Sequence, residues 1–176
     1  MTAVQPEDVA QHSLGVAMIA HLLVTIDQKE YGGDPPQQEI LAAALYHDAA
    51  EALLTDIVAP VKKYSPELEQ AFADLERVAE RQLLDTLPAL LRDEYERIFQ
   101  RDRPEVADFV HAADKLDALC KCKQEVRRGN QEFALAEQQL TAVCERYAAH
   151  MPSVRYFMDT FLPAFGRSVD EYRYLK

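Results

Sequence analysis

The stretch Ala44-Leu-Tyr-His-Asp-Ala-Ala-Glu-Ala-Leu-Leu-Thr-Asp56 sets a histidine, two aspartates and a glutamate into a run otherwise made of alanine and leucine. With the preceding Gln37–Ala43 it reads as a helix that is apolar almost all round, and such helices are buried. Removing an isolated carboxylate from water costs several kcal/mol or more unless something compensates it. His47, Asp48 and Glu51 therefore need a partner inside the protein.

The rest of the chain repeats the helical pattern. In residues 7–26, apolar side chains recur at three- and four-residue steps (Val9, Leu14, Ala17, Met18, Leu22), predicting an amphipathic helix. Tyr31-Gly-Gly-Asp-Pro-Pro36 breaks it, and Pro60 and Pro66 punctuate a connector. Ser65-Pro66 then reads as a start signal for a long charged helix that runs to Pro88. A shorter helix follows near residues 89–100. Another starts near Pro104 and stops at Gly129-Asn130, and two more complete the chain. No strand hairpin is read. The expectation is an all-α protein of about six to eight helices forming a single domain over residues 1–176.

Composition bounds the function. Nineteen Lys and Arg against 30 Asp and Glu give a net charge of −11, which repels a polymeric phosphate backbone and argues against a nucleic acid partner. It leaves room for a small phosphate ligand if a bound cation sets the local field. Cys120, Cys122 and Cys144 are an odd number at no metal-ligand spacing, so they read as reduced thiols in a core. No run reads as the roughly 18 apolar residues that a membrane span needs, so the expectation is a soluble, cytoplasmic protein without a membrane partner.

Three places break the amphipathic rule: His12 near the start of the first helix, His47-Asp48 in the second, and Asp114 between Val110, Ala113 and Leu116. A single histidine of this kind is ordinarily a hydrogen-bonded core residue, and an aspartate near a helix end is usually a cap. Asp114 is mid-helix, where a cap has no meaning. Two imidazoles and two carboxylates form a mixed donor set suited to one divalent transition ion such as Co, Mn, Zn or Fe. Glu51 lies one turn beyond the pair, on the same face.

These residues resemble the H…HD…D signature of the HD superfamily of metal-dependent phosphohydrolases. Residues 7–21, 45–62, 113–119, 127–136 and 156–171 together resemble the bacterial 5′-deoxynucleotidases of the YfbR type along essentially the whole chain. The resemblance implies an all-α homodimer that removes phosphate from deoxyribonucleoside 5′-monophosphates with one divalent ion. It implies that His12, His47, Asp48 and Asp114 are metal ligands, that Glu51 orients or activates the attacking water, and that Asp56 faces sugar and phosphate. Lys62 and Lys115 are candidate cations for the phosphoryl group. His111 is a candidate to orient a ligand, while Asp117 reads as a partner for a neighbouring basic side chain. Members using two metals carry further histidines between the HD pair and the last aspartate; none lies between His47 and His111, which implies one metal. The family also carries an Arg-Trp pair ahead of its first histidine, and the segment bearing it is expected to be missing here. Two alternatives stand beside this reading: hydrolysis of another small phosphorylated nucleotide, and a non-catalytic metal-stabilised helical dimer that binds one.

Overall fold

The computed structural model describes residues 2–55, 57, 59–62, 64–99 and 103–172. Among these, all regular structure is helical, and seven helices have nine residues or more. In chain order the α-helices are α1 (Val9–Ile26), α2 (Gln37–Tyr46), α3 (Glu51–Leu54), α4 (Ala59–Lys62), α5 (Pro66–Asp85), α6 (Ala89–Phe99), α7 (Pro104–Arg127), α8 (Ala134–Ala148), α9 (Pro152–Thr160) and α10 (Val169–Tyr172).

Helix starts follow local chemistry. Asp8 caps α1, accepting from the Gln11 amide at 2.8 Å, while the Gln11 side chain accepts from the Asp8 amide at 3.3 Å. Ser65 caps α5 through the Leu68 amide, and Pro66, Pro104 and Pro152 take first-turn positions where no N–H is needed. Gly129, with φ of 89°, ends α7 where the sequence predicts.

Helix α7, not α2, is the centre. Val110, Ala113, Leu116 and Leu119 are buried along it, and α1, α2 and α8 pack around it. The apolar run of α2 is only half used: Ile40 and Ala44 are buried and Leu45 is exposed. On α1, Val16, Ala20, Leu23 and Val24 face the core, whereas Leu14 is 57% and Met18 66% exposed. The sequence expectation put Leu14 and Met18 on the inward stripe. This helix is apolar on several sides, so periodicity alone does not choose its face. Truncating a fully buried side chain such as Leu23 or Leu116 to alanine costs about 2–5 kcal/mol. Residues 9–31 are also long and apolar enough to cross a bilayer by composition, contrary to expectation. Here, however, they supply much of the core.

The second correction is at the opening stretch. It forms not one helix but α2, a tightened turn at 47–50, and α3. Ala49 and Glu51 donate to carbonyls three residues back, Tyr46 at 3.0 Å and Asp48 at 2.9 Å, rather than four back. Helices α5 and α6 form a largely solvated pair in which only Ala79 is buried, and they wall one side of the space beside that turn. All three cysteines are buried free thiols, as expected.

Candidate metal centre

The turn at 47–50 brings His47 and Asp48 to one point. On a regular helix adjacent side chains diverge by about 100°, yet His47 Nε2 lies 3.1 Å from Asp48 Oδ2. From α1, His12 Nε2 reaches 3.6 Å from Asp48 Oδ2, and from α7, Asp114 Oδ1 lies 3.4 Å from the same His12 nitrogen. Donor atoms of His12, His47 and Asp114 all fall within 4.8 Å of one another, and Asp48 joins through both imidazoles. Two helices and one turn thus meet at the four residues singled out as ligands.

The donor set fits a divalent transition ion on chemical grounds. His47 Nδ1 stands 2.8 Å from the Ala44 carbonyl, which can only accept; Nδ1 therefore carries a proton, which makes Nε2 the nitrogen that faces the cluster as the ligating atom. Donor separations of 3.1, 3.4 and 3.6 Å are close to what two metal arms of about 2.0–2.2 Å would span. Several of these separations are longer than the roughly 2.7–3.2 Å of a good N–H···O bond.

Electrostatics account for the charges inside. Hydrogen bonds to Asp114 first and Asp117 second push the His12 imidazolium up to about 10 despite burial. Burial works against ionising Asp114, but His12 and Lys115 outweigh it and hold the carboxyl well below the usual range. Asp48 is likewise lowered, with His47 outweighing burial. A proton on His12 compensates these carboxylates, and a divalent cation is a stronger substitute for it.

A cavity of about 490 Å³ opens beside the cluster, within the usual range of roughly 300–1,000 Å³ for small-molecule sites. His47, Asp48, Asp114, Lys115 and His111 line one side, with Tyr46, Glu69, Glu76, Phe99 and Tyr147 among the others. Lys115 Nζ donates to Asp114 at 2.6 Å. Lys62 is elsewhere in the site: it pairs with Glu76 at 3.1 Å and Glu51 at 3.5 Å. Glu51 opens α3, with its side chain 11% exposed. His111 is exposed and lines the cavity. Asp56 lies outside the described residues.

Asp117 departs from expectation. It pairs with no lysine or arginine among the described residues but accepts from His12 Nδ1 at 2.9 Å. The usable signal was its position three residues after Asp114, on nearly the same face of α7. The α5–α6 wall carries no motif and was not foreseen.

Known proteins share this chain's sequence pattern and fold. The family described as 5′-deoxynucleotidase YfbR-like matches residues 1–165. A 5′-deoxynucleotidase of Vibrio vulnificus is 38% identical over 174 residues, 97% of this chain and 88% of that protein. The 5′-deoxynucleotidase YfbR of Escherichia coli is 38% identical over 173 residues, 97% of this chain and 86% of the other. Among solved structures, an HD-domain phosphohydrolase from Listeria innocua superposes with a TM-score of 0.83 at 24% identity, over 98% of this chain and 83% of that one.

Proposed function

This chain belongs to the YfbR-like 5′-deoxynucleotidase family, and from that premise we propose that it is a divalent-metal-dependent hydrolase releasing phosphate from deoxyribonucleoside 5′-monophosphates. The observation that carries the proposal is the convergence of His12, His47, Asp48 and Asp114 at the edge of a cavity of nucleotide size. Those four residues hold the ion. When bound there, a divalent ion supplies Lewis acidity toward a phosphoryl oxygen and acidifies water.

The remaining work falls to the protein. Glu51, about one turn past Asp48, orients the attacking water and takes its proton as the new P–O bond forms. The P–O5′ bond breaks, and the departing 5′-oxygen gains a proton to leave as the nucleoside. Lys115 faces the cavity and offers positive charge to the phosphoryl oxygens; Lys62 acts beside Glu51. Asp56, two residues beyond α3, faces sugar and phosphate in this scheme. The whole chain serves as one domain working in the cytoplasm.

The working unit in this proposal is a homodimer. Val9, Leu14 and Leu45 line a shallow groove next to Asp48 and Glu51, and Met18 is exposed on the same helix as Val9 and Leu14. Isolated exposed apolar residues are ordinary, but a group of them is the usual mark of an interface.

Phosphate release from dAMP, dTMP, AMP and a generic phosphate ester tests the function. The protein is stripped of metal and given Mn, Co, Zn or Mg in turn. Turnover of deoxy monophosphates restored by a transition ion is expected. Equal turnover of the generic ester would reassign the substrate, and metal binding without any turnover would leave a binding protein.

A further inference from the structure

The geometry points to Asp117 as a positioning residue for the metal centre, its carboxylate seated in a space kept open by Gly15 and fixing the ring and tautomer of His12. The inference rests on the reading of His12 as a metal ligand.

Asp117 Oδ2 lies 2.9 Å from His12 Nδ1, while the opposite ring nitrogen faces Asp114 at 3.4 Å and Asp48 at 3.6 Å. A carboxylate accepts and does not donate. Asp117 therefore holds a proton on Nδ1; when a cation displaces the proton that Nε2 shares with Asp114 and Asp48 in the metal-free protein, the lone pair of Nε2 already points at the ligand cluster. His47 receives the same treatment from the Ala44 carbonyl. A histidine ligand whose second nitrogen is held by a carboxylate or carbonyl has its rotation and tautomer set before the ion arrives.

The two holders differ in what they tie together. Ala44 belongs to the helix that leads into His47, whereas Asp117 reaches from α7 to α1. One helix thus delivers a ligand, Asp114, and three residues later the holder of a second ligand.

Gly15 is the independent observation. It lies three residues after His12, in the middle of α1, where glycine costs roughly 0.5–1 kcal/mol relative to alanine. A Cβ at this position would stand 2.4 Å from Asp117 Oδ1 and 3.1 Å from its Cγ. No real side chain tolerates the first distance, so any residue but glycine displaces the carboxylate from His12. The far side of Asp117 gives onto a hollow lined by Glu7, Cys120 and Lys121. Glu7 is an exposed carboxylate near the same imidazole. The His12 Nδ1 proton goes to Asp117, so Glu7 is not the holder of the ring.

The test is cobalt(II) affinity, measured by competition with a chelating indicator, together with the Tm of each metal-free protein. The proteins compared are the parent, Asp117→Ala, Asp117→Asn, Gly15→Ala and the double variant Asp117→Ala/Gly15→Ala. Asp117→Ala should weaken cobalt binding by about 10- to 100-fold. Asp117→Asn should recover much of that loss, since its amide oxygen still accepts from Nδ1–H. Gly15→Ala should weaken binding in the parent and have little further effect once Asp117 is gone. Rescue by Asp117→Asn and the Gly15 dependence are readouts that a merely structural aspartate does not produce; if Asp117→Ala does not fold, the Asp117→Asn/Gly15→Ala double variant takes its place, and Gly15→Ala in the parent without any loss of cobalt affinity overturns the inference. Cobalt binding by Asp117→Ala within about twofold of the parent, or an undiminished Gly15→Ala effect in the Asp117→Ala background, overturns the inference. A parent that binds no cobalt overturns the metal-site reading, and this inference with it.

Discussion

Lys62 Nζ lies 3.5 Å from Glu51 Oε1, so the proposed water-activating carboxylate is paired with a cation rather than left bare. Burial disfavours the Lys62 ammonium, but Glu76 first and Glu51 after it keep it charged above its ordinary value. A carboxylate in this role takes a proton that the amide replacing it cannot. Glu51→Gln should therefore lower kcat by about 10²–10⁴-fold while metal affinity stays near that of the parent. Steady-state kinetics with metal-binding titrations checks this; a proportionate loss of metal would make Glu51 a ligand instead.

Metal should stabilise the fold as well as activate it, because its donors come from α1, the turn at 47–50 and α7. With free ion at 100 times its Kd, the gain is about 2.7 kcal/mol. For a chain of this size that raises Tm by roughly 5–10 °C. Differential scanning of metal-free protein titrated with Mn, Co or Zn reads it directly, and His47→Ala should abolish most of the shift. A Tm indifferent to every transition ion would count against the centre.

The four proposed ligand positions are legible in the sequence because each violates a local rule: His12, His47 and Asp48 stand in apolar helical segments, and Asp114 is a mid-helix aspartate. What was not legible is set by tertiary packing. Helix α1 presents apolar residues on several sides, so only its packing against α7 decides that Leu23 turns in and Met18 out. The break at 47–50 has no glycine or proline to announce it. Asp117 reads as the partner of a neighbouring basic side chain because its actual partner lies 105 residues away on another helix, and no periodicity within α7 encodes that distance.

Self-association should depend on the exposed face of α1. Met18 is 66% exposed, and substituting an exposed residue ordinarily changes monomer stability by no more than about 0.5 kcal/mol. Met18→Glu, alone or with Leu14→Glu, should thus shift the protein from dimer to monomer in size-exclusion chromatography with light scattering, leaving the helical circular dichroism intact. A parent protein that is monomeric at micromolar concentration would remove this face from consideration.

Acid stability should report on Glu125, which is fully buried near the end of α7. Its carboxylate accepts from the Val4 amide at 2.7 Å, the Gln5 amide at 3.1 Å and Asn130 Nδ2 at 2.9 Å, tying the segment before α1 to the end of α7. The Val4 hydrogen bond above all, with Asn130 and Gln5, outweighs burial and holds its pKa at about 2. That is below the value of about 4.3 expected in the unfolded chain. A depressed carboxylate stabilises the fold above its unfolded pKa, and the contribution disappears as pH falls through its folded one. Glu125→Gln should therefore lower Tm by a constant amount from pH 8 down to about 5. The gap to the parent should then narrow between about pH 5 and about pH 2, as the parent itself loses the charge. A gap that stays constant across that acid range would mean that the Glu125 charge contributes nothing and that only its shape is needed.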